Sequence, residues 1–284
     1  MPELPEVEIL VRHLAPLLKG KTIRGVEVRR PKVLAPTTER ELVRSLRGAK
    51  FTGLSRRGKY LLFSLRRPKR RDPLLLVGHL GMTGRMYLMP KSATLPKHAA
   101  VVLDLGRTRM VYEDTRYFGR LTLDRGGLEK LGPEPLGPDF TAAYFAVNLE
   151  RSRQPIKVKL LDQTLVAGVG NIYASEALFR ARISPRLAAN KLSAGQIKNL
   201  RQAIREVLTE AIGSGSTLPL DFAGNGGRDG LFYYGGSGDE SSFYQERLLV
   251  YDRQGQPCIR CRSPIKRLVQ GARSTFYCVG CQRA

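Results

Sequence analysis

Four cysteines near the end of the chain have the spacing of a metal site. Cys258 and Cys261 are separated by two residues, as are Cys278 and Cys281, and sixteen residues lie between the pairs. Two such pairs can place four thiolates tetrahedrally around one Zn²⁺ at about 2.3 Å. Because the protein supplies all four ligands, the predicted zinc is structural rather than catalytic. The alternative is two disulfides, which a reducing cytoplasm disfavours.

The cysteine module is also strongly basic. Arg262, Lys266, Arg267 and Arg273 lie between the two pairs, and no acidic residue follows Arg253. A small, stiff, positive hairpin of this kind is suited to contact DNA. The alternative is a purely structural zinc knuckle with a solvated basic face.

The start of the chain offers a different kind of chemistry. If Met1 is removed, Pro2 carries a free secondary amine, and an α-amine with a pKa of about 7.7–8 is partly neutral at pH 7. Such an amine can attack a sugar carbon and form an iminium ion, which permits elimination. Glu3 is placed to act as a general acid. The plain alternative is that both residues only begin a helix, and the residues alone favour that alternative.

The charge of the whole chain indicates a polyanionic partner. Lys and Arg total 48 against 25 Asp and Glu, a net charge of +23, whereas about 2–8 is ordinary for a small domain. An Arg-rich proteome is the alternative explanation. No apolar run approaches the about 20 residues of a membrane helix, and the acidic, proline-containing start differs from a secretory signal. We therefore expect a cytoplasmic protein that binds nucleic acid and no membrane.

A glycine-containing segment at residues 160–173 joins two expected helices. Gly168 and Gly170 let the backbone pass tightly ahead of a helix that begins at Asn171. Free N–H groups at that helix N-terminus, together with the Asn171 amide, are predicted to form a pocket for a phosphate. The alternative is an ordinary helix–helix corner with a capping Asn.

Two blocks of secondary structure must position these residues. A helix is expected at residues 2–15, and short strands from about 21 to 124 indicate a sandwich or barrel. The strand runs are 23–28, 60–65, 74–79, 99–105 and 109–113. Residues 131–140, with three prolines and two glycines, are typical of a linker. Helices are then expected at 140–149, 156–162, 171–182 and 193–212, with Ser193 as the N-cap candidate of the last one, followed by a mobile Gly-rich loop at 213–240.

Several motifs occur in an order that resembles one enzyme family. They are PELPEVE (2–8), GKYL (58–61), HLGMTG (79–84), DTRYFG (114–119), GPEPL (132–136), GVGNIYASE (168–176) and the four cysteines. Over residues 2–281 the chain resembles bacterial formamidopyrimidine-DNA glycosylases, which excise oxidised purines. The resemblance implies an α+β multidomain fold. Its parts are an N-terminal β-sandwich with a leading helix (1–135), a linker and first helix (136–150), a helix–two-turn–helix domain (151–252) and a zinc finger (253–284).

The resemblance assigns catalytic roles to four residues. Pro2 is similar to the nucleophile that forms a Schiff base, and Glu3 to the proton donor. Lys59 matches a lysine that supports elimination and contacts DNA, although it could also be a solvated charge in a basic run. Arg273 matches the finger arginine implicated in the second elimination.

The resemblance also assigns contacts with DNA. His98 matches a contact to the DNA backbone, with a surface loop histidine as the alternative. Arg153 and Lys157 match basic residues at the phosphates, beside Asn171. Each of these assignments follows from the family's motifs and not from spacing alone.

A further trio resembles the residues that fill the gap left by a flipped base. Met82 and Phe118 can restore stacking, and Arg116 can hydrogen-bond the orphaned partner base. By residue type alone, Met82 and Phe118 would be expected in a core. The motif departs from the family's usual pattern, because Thr115 and Tyr117 stand where a proline and a basic residue are common. The opposite-base preference is therefore not assigned.

The activity that the resemblance implies is that of a bifunctional DNA glycosylase and AP lyase. It would remove 8-oxoguanine or formamidopyrimidines from damaged double-stranded DNA and cut the strand by β- and δ-elimination. We expect a monomer in the bacterial cytoplasm, associated with the nucleoid through DNA and holding one structural zinc. The alternatives are an endonuclease VIII-type enzyme for oxidised pyrimidines and a non-catalytic zinc-dependent DNA-binding protein. Residues 221–245, longer and more Gly-rich than usual for the family, supply no named base-recognition residue.

Overall fold

Residues 2–67, 72–215 and 248–282 of the 284-residue chain are described by the computed structural model. They divide into two units. The first contains Pro2 and residues 6–129, and the second contains residues 3–5, 130–215 and 248–282. The Gly-rich loop expected at 213–240 lies, from residue 216 onward, outside the described residues. Residues 213–215 belong to a helix instead.

The leading helix, α1 (Leu4–Leu18), begins two residues later and ends three residues later than the prediction. Pro5 suits its first turn, where an N–H has no intrahelical partner, and Glu6 is favoured there by the helix dipole. Apolar residues recur at helical spacing along α1 and are buried, with Leu10 and Leu14 completely inaccessible.

The first unit is a β-sandwich, as predicted. Its two antiparallel sheets each have four strands, in the orders β1-β6-β7-β5 and β2-β3-β4-β8. The strands are β1 (Gly25–Val28), β2 (Lys50–Arg57), β3 (Tyr60–Arg66), β4 (Leu74–His79), β5 (Gly84–Pro90), β6 (Ala99–Asp104), β7 (Thr108–Asp114) and β8 (Arg120–Thr122). Apolar side chains from both sheets and α1 form the core, including Phe51, Phe63 and Tyr112.

Elements of this unit that lie outside the predicted runs include β2, β5, β8 and the helix α2 (Glu39–Leu46). Strand β2 contains Gly53 at a register shift, and Gly in a strand marks a bulge rather than a strong strand signal. Helix α2 is short and is capped by Thr38, whose side chain accepts a hydrogen bond from the Glu41 N–H. A further short helix, α3 (Gly126–Glu129), ends the unit.

The second unit is mainly helical. Its helices are α4 (Ala142–Glu150), α5 (Ile156–Lys159), α6 (Asn171–Arg180) and α7 (Ala194–Gly215). All four expected helices are present, although α5 is shorter than predicted and Pro155 precedes it as the N-cap residue. The predicted Ser193 cap is confirmed, and Gln196 completes a capping box by accepting from the Ser193 N–H at 2.9 Å. Residues 131–140 contain no helix or strand.

The cysteine module folds as a two-stranded hairpin within the second unit. Strands β9 (Ile265–Gln270) and β10 (Arg273–Cys278) pair antiparallel. Ile265 and Phe276 pack with Phe179 of α6 in a small apolar cluster. Arg260 adds a cation–π contact, with its guanidinium 4.6 Å from the Phe179 ring centre. The finger is thus anchored on the last turn of α6. Among the described residues, no helix has the length and apolar character needed to cross a membrane.

Candidate functional site

Glu3 occupies the N-terminus of helix α6. Its carboxylate accepts hydrogen bonds from the backbone N–H groups of Ile172, at 3.0 Å, and Tyr173, at 3.4 Å. Gly170 permits this approach, because a Cβ there would lie only 2.2 Å from the Glu3 Cδ. The sequence-based expectation of N–H groups free for a phosphate is therefore wrong for these two residues. The anion that the positive helix end stabilises is the protein's own carboxylate.

Gln163 holds the loop that receives Glu3. Its side-chain NH₂ donates to the carbonyls of Leu161 and Val169, both at 2.9 Å, and its Oε1 accepts from the Gly168 N–H at 2.9 Å. The Gly168 carbonyl in turn accepts from the Leu4 N–H at 3.2 Å. Gly168 adopts φ +87° and a Cβ there would lie 2.6 Å from Leu4, so the tight turn requires glycine. The Gln163 side chain thereby fixes the turn at Gly168 to which the N-terminal segment is hydrogen-bonded through Leu4.

Lys157 and Asn171 form a partly buried hydrogen-bonded pair close to this loop. The Lys157 ammonium donates to the Asn171 Oδ1, and the Asn171 NH₂ donates to the Ser274 carbonyl of the finger hairpin at 2.9 Å. Lys157 is completely buried and is not open to a phosphate in this structure, contrary to the expectation from sequence. Burial, reinforced by the positive charge of Arg273, lowers the pKa of Lys157 to about 8 although Glu3 opposes the shift. The exposed cations of this unit's predicted site are Arg153 and Arg273.

A second carboxylate ties α6 to the start of the finger segment. Glu176 is buried and accepts three backbone hydrogen bonds, from Leu249 and Val250 at 2.9 Å and from Tyr251 at 2.8 Å. Burial raises the pKa of Glu176, while the three N–H donors favour its charged form. Helix α6 thus organises Glu3 at its N-terminus and the base of the finger along its length.

In the first unit, Pro2 and Lys59 are both buried, and Lys59 is only 8% exposed. Lys59 is therefore not the solvated charge that its basic run allows as an alternative. It lies between strands β2 and β3, next to Gly58 at φ +56°. Burial, with the positive charges of Lys59 and Arg120, lowers the pKa of His79 to about 4. His79 is neutral at pH 7 and its Nδ1 accepts from the Gly81 N–H at 3.1 Å.

The trio Met82, Arg116 and Phe118 lies on the surface. Met82 is 37% and Phe118 56% exposed, so core packing is excluded for both. Arg116 reaches the Met82 sulfur at 3.8 Å. Buried Asp114 fixes the loop that carries Arg116 and Phe118, because it accepts from the Thr83 hydroxyl at 2.6 Å and from the N–H groups of Arg116 and Gly119 at 3.1 and 2.9 Å. An exposed apolar pair beside an arginine has the composition of a wedge for stacked bases.

His98 faces the same loop. Its Nδ1 lies 3.3 Å from the Tyr117 hydroxyl, and the Arg30 Nε donates to that hydroxyl at 3.1 Å. His98 is half-buried, with its backbone carbonyl accepting from the Asp114 N–H at 3.1 Å. His98 is thus fixed by its contacts with Tyr117 and Asp114 and is not a free histidine on a surface loop.

The four cysteines converge as predicted. All four sulfurs lie within 4.8 Å of one another, with Cys258 and Cys281 at 3.8 Å and Cys261 and Cys278 at 3.3 Å. Tetrahedral thiolates around Zn²⁺ lie about 3.8 Å apart, so the cluster fits zinc. Gly280 leaves room for it, because a Cβ there would lie 2.9 Å from the Cys261 sulfur.

The predicted residues are divided between the two units. The first unit contains Pro2, Lys59, Met82, His98, Arg116 and Phe118, and the second contains Glu3, Arg153, Lys157, Asn171, Arg273 and the cysteines. Sequence reasoning gave no role to Asp114, Gln163 or Glu176, although each lies inside or beside a quoted motif. The available signal was a polar residue in an otherwise apolar or glycine-rich stretch.

Comparison with known proteins decides the family. Models of the formamidopyrimidine-DNA glycosylase N-terminal domain, of its H2TH domain and of a zinc finger found in FPG and IleRS match residues 1–121, 131–220 and 255–284. A formamidopyrimidine-DNA glycosylase of Chloroflexus aurantiacus is 44% identical over 99% of this chain and 98% of its own. That of Novosphingobium aromaticivorans is 42% identical over the whole of both chains. The chain belongs to the formamidopyrimidine-DNA glycosylase family.

Solved structures of this glycosylase family agree with the fold. Lactococcus lactis Fpg bound to DNA with an abasic site superimposes with a TM-score of 0.85 at 33% identity, covering 99% of this chain and 100% of that one. The complex of the same enzyme with DNA containing N7-benzyl-Fapy-dG gives 0.86 at 33% identity over both chains. The resemblance, the fold class and the structural zinc site are confirmed. The roles of individual site residues in the glycosylase remain predictions.

Proposed function

We propose that this chain is a bifunctional DNA glycosylase and AP lyase of base excision repair that removes oxidised purines. The observation that carries the proposal is full-length similarity to formamidopyrimidine-DNA glycosylases, joined to a structure in which Glu3 is held at a helix N-terminus. The net charge of +23 supports damaged double-stranded DNA as the partner. The enzyme acts as a monomer in the bacterial cytoplasm.

In the proposed reaction the nucleophile is the Pro2 amine. The Pro2 ammonium gives its proton to the Glu3 carboxylate, which two backbone N–H groups hold at the start of α6. The neutral amine attacks C1′ as the bond to the damaged base breaks, and Glu3 returns the proton to the leaving base. Glu3 then takes the second proton from the attached amine nitrogen and delivers it to the sugar ring oxygen, so the C1′–O4′ bond breaks and the iminium ion forms. Elimination then removes a C2′ proton and expels the 3′ phosphate.

The remaining site residues support elimination and bind DNA. Lys59 assists proton transfer, and Arg273 assists the second elimination at the 5′ phosphate. Arg153, which is exposed, binds DNA phosphates close to the hydrogen-bonded pair of Asn171 and Lys157. His98 contacts the DNA backbone. If about six phosphates are neutralised, the logarithmic salt slope of affinity is near −5.

The wedge maintains the flipped state of the damaged nucleotide. Extruding a base costs a few kcal/mol of stacking and pairing. Exposed Met82 and Phe118 replace the lost stacking, and Arg116 hydrogen-bonds the orphaned base. The exposure of the two apolar side chains is what this role requires and what a structural role does not explain.

Two measurements test the proposed function. Excision from 8-oxoguanine:C and thymine glycol:A duplexes separates this enzyme from an endonuclease VIII-type relative, and we expect preference for 8-oxoguanine. Preference for thymine glycol would overturn the lesion assignment. Borohydride added to an abasic duplex should trap a covalent adduct with the intact protein. No adduct would indicate a non-catalytic DNA-binding protein.

A further inference from the structure

Tyr117 has an unusual backbone and an unusual set of partners. It lies between the exposed Arg116 and Phe118 at φ +56°. Left-handed backbone is unfavourable for a side chain with a Cβ and rare for an aromatic residue. Because Tyr117 does not itself favour this conformation, other contacts of the residue must maintain it within the loop 114–119.

Those contacts are made by the Tyr117 side chain. Its hydroxyl accepts from the Arg30 Nε at 3.1 Å and lies 3.3 Å from the His98 Nδ1. The Arg30 guanidinium also lies 5.5 Å from the centre of the Tyr117 ring. Tyr117 itself is half-buried while both of its chain neighbours are exposed. The side chain therefore anchors the loop while Arg116 and Phe118 face solvent.

The hydroxyl has one proton to donate. Because the charged Arg30 donates to its oxygen, the hydroxyl becomes a stronger donor toward a second partner. The His98 Nδ1 lies within reach at 3.3 Å, and when it accepts this proton the ring proton of His98 lies on Nε2. The Asp114 N–H bond to the His98 carbonyl ties the same histidine to the start of the wedge loop.

We propose that Tyr117 is a positioning residue that holds the wedge of Met82, Arg116 and Phe118 in register and fixes His98 in the tautomer protonated at Nε2. This inference rests on the proposed function, in which Arg116 hydrogen-bonds the orphaned base. Tyr117 therefore determines how sharply the enzyme distinguishes the base opposite the lesion. It also couples the contact of His98 with the DNA backbone to the insertion of the wedge.

The test uses two variants of the full zinc-loaded enzyme. Tyr117→Phe removes only the hydroxyl. Tyr117→Gly removes the whole anchor and relieves the strain of φ +56°, which offsets part of the loss of the packing that the ring makes against the sandwich core. Tyr87→Phe is the matched control, because it removes a different tyrosine hydroxyl bond, to Glu113 at 2.9 Å, in the same unit. The measured quantity is the ratio of kcat/KM for 8-oxoguanine:C to that for 8-oxoguanine:A.

Both Tyr117 variants should bring this ratio roughly tenfold closer to one, the effect of about one lost hydrogen bond, and Tyr87→Phe should preserve it. An unchanged ratio in the Tyr117 variants, or an equal loss in the control, would overturn the proposal.

A second readout uses the free protein. The chain has three histidines, so ¹⁵N ring shifts can be assigned with a His98→Gln variant. We expect the Nε2–H tautomer in the wild type and a tautomer mixture in Tyr117→Phe. A tautomer unaffected by Tyr117→Phe would overturn the proposal. If the wild type excises neither 8-oxoguanine nor thymine glycol, the proposed function fails. The tautomer measurement still decides whether Tyr117 controls His98.

Discussion

Replacing Lys157 with methionine tests whether this chain maintains a buried cation at the expense of stability. Burial lowers the pKa of Lys157 from its ordinary 10.5 to about 8. Between these pH values the unfolded chain still binds the proton that the folded chain has lost. The free energy of unfolding therefore rises with pH across this window. Below pH 8 the charged lysine destabilises the fold, and the penalty disappears as pH approaches 10.5.

The magnitude follows from the size of the shift. Between pH 7 and pH 10 this one group should raise the free energy of unfolding of the wild type by about 2–3 kcal/mol. Lys157→Met lacks the group, so its advantage over the wild type should shrink by that amount over the same range. Urea denaturation of the zinc-loaded proteins at several pH values measures it. Lys159→Met, on the same helix but partly exposed, is the matched control and should track the wild type.

Parallel pH profiles for the wild type and Lys157→Met would refute this reasoning. They would mean that the bond to Asn171 and the charge of Glu3 compensate the burial. The variant should also bind abasic duplex more weakly at pH 7, because loss of the buried charge weakens the positive potential at the phosphates that Arg153 is proposed to contact.

Three further outcomes are expected. Glu176→Ala should lower the free energy of unfolding by about 3–5 kcal/mol, because three buried N–H groups lose their acceptor. Glu176→Gln should lower it less, because the amide oxygen still accepts hydrogen bonds, and equal effects of the two variants in urea denaturation would contradict this account. Zinc removal should abolish duplex binding while the circular dichroism of the β-sandwich persists, since the metal contributes folding energy locally; undiminished affinity after verified metal removal would contradict it. Lys59→Ala should slow strand cleavage more than base release in single-turnover assays, and equal losses would reduce Lys59 to a DNA contact.

The regular elements were predictable where one physical signal dominated. Strand β4 has the predicted bounds, because Leu74–His79 is a short apolar run between turn signals. Helix α7 was predicted from its long apolar period and its Ser193 cap. Strand β5 was missed because its residues, with two methionines, have no strong strand preference. Its place is set by pairing with β7, which is a tertiary effect.

The candidate site was predictable in composition but not in arrangement. The cysteine spacing alone predicts the cluster that the structure shows. The sequence could not reveal that Glu3 fills the helix N-terminus expected to bind phosphate, because that contact joins residues about 170 positions apart. Nor could it reveal that Lys157 is buried. Both depend on close backbone approach, of which only the glycines gave a local sign.

The most direct test of the account is to locate the covalent bond to DNA. Borohydride-trapped adduct on an 8-oxoguanine:C duplex can be digested with trypsin and nuclease and analysed by mass spectrometry. Cleavage after Arg12 releases residues 2–12, which contain no lysine, so the α-amine of Pro2 is the only amine of that peptide. The account predicts the reduced deoxyribose adduct there, with Met1 absent. An adduct on a lysine-containing peptide, or active enzyme that retains Met1, would contradict it.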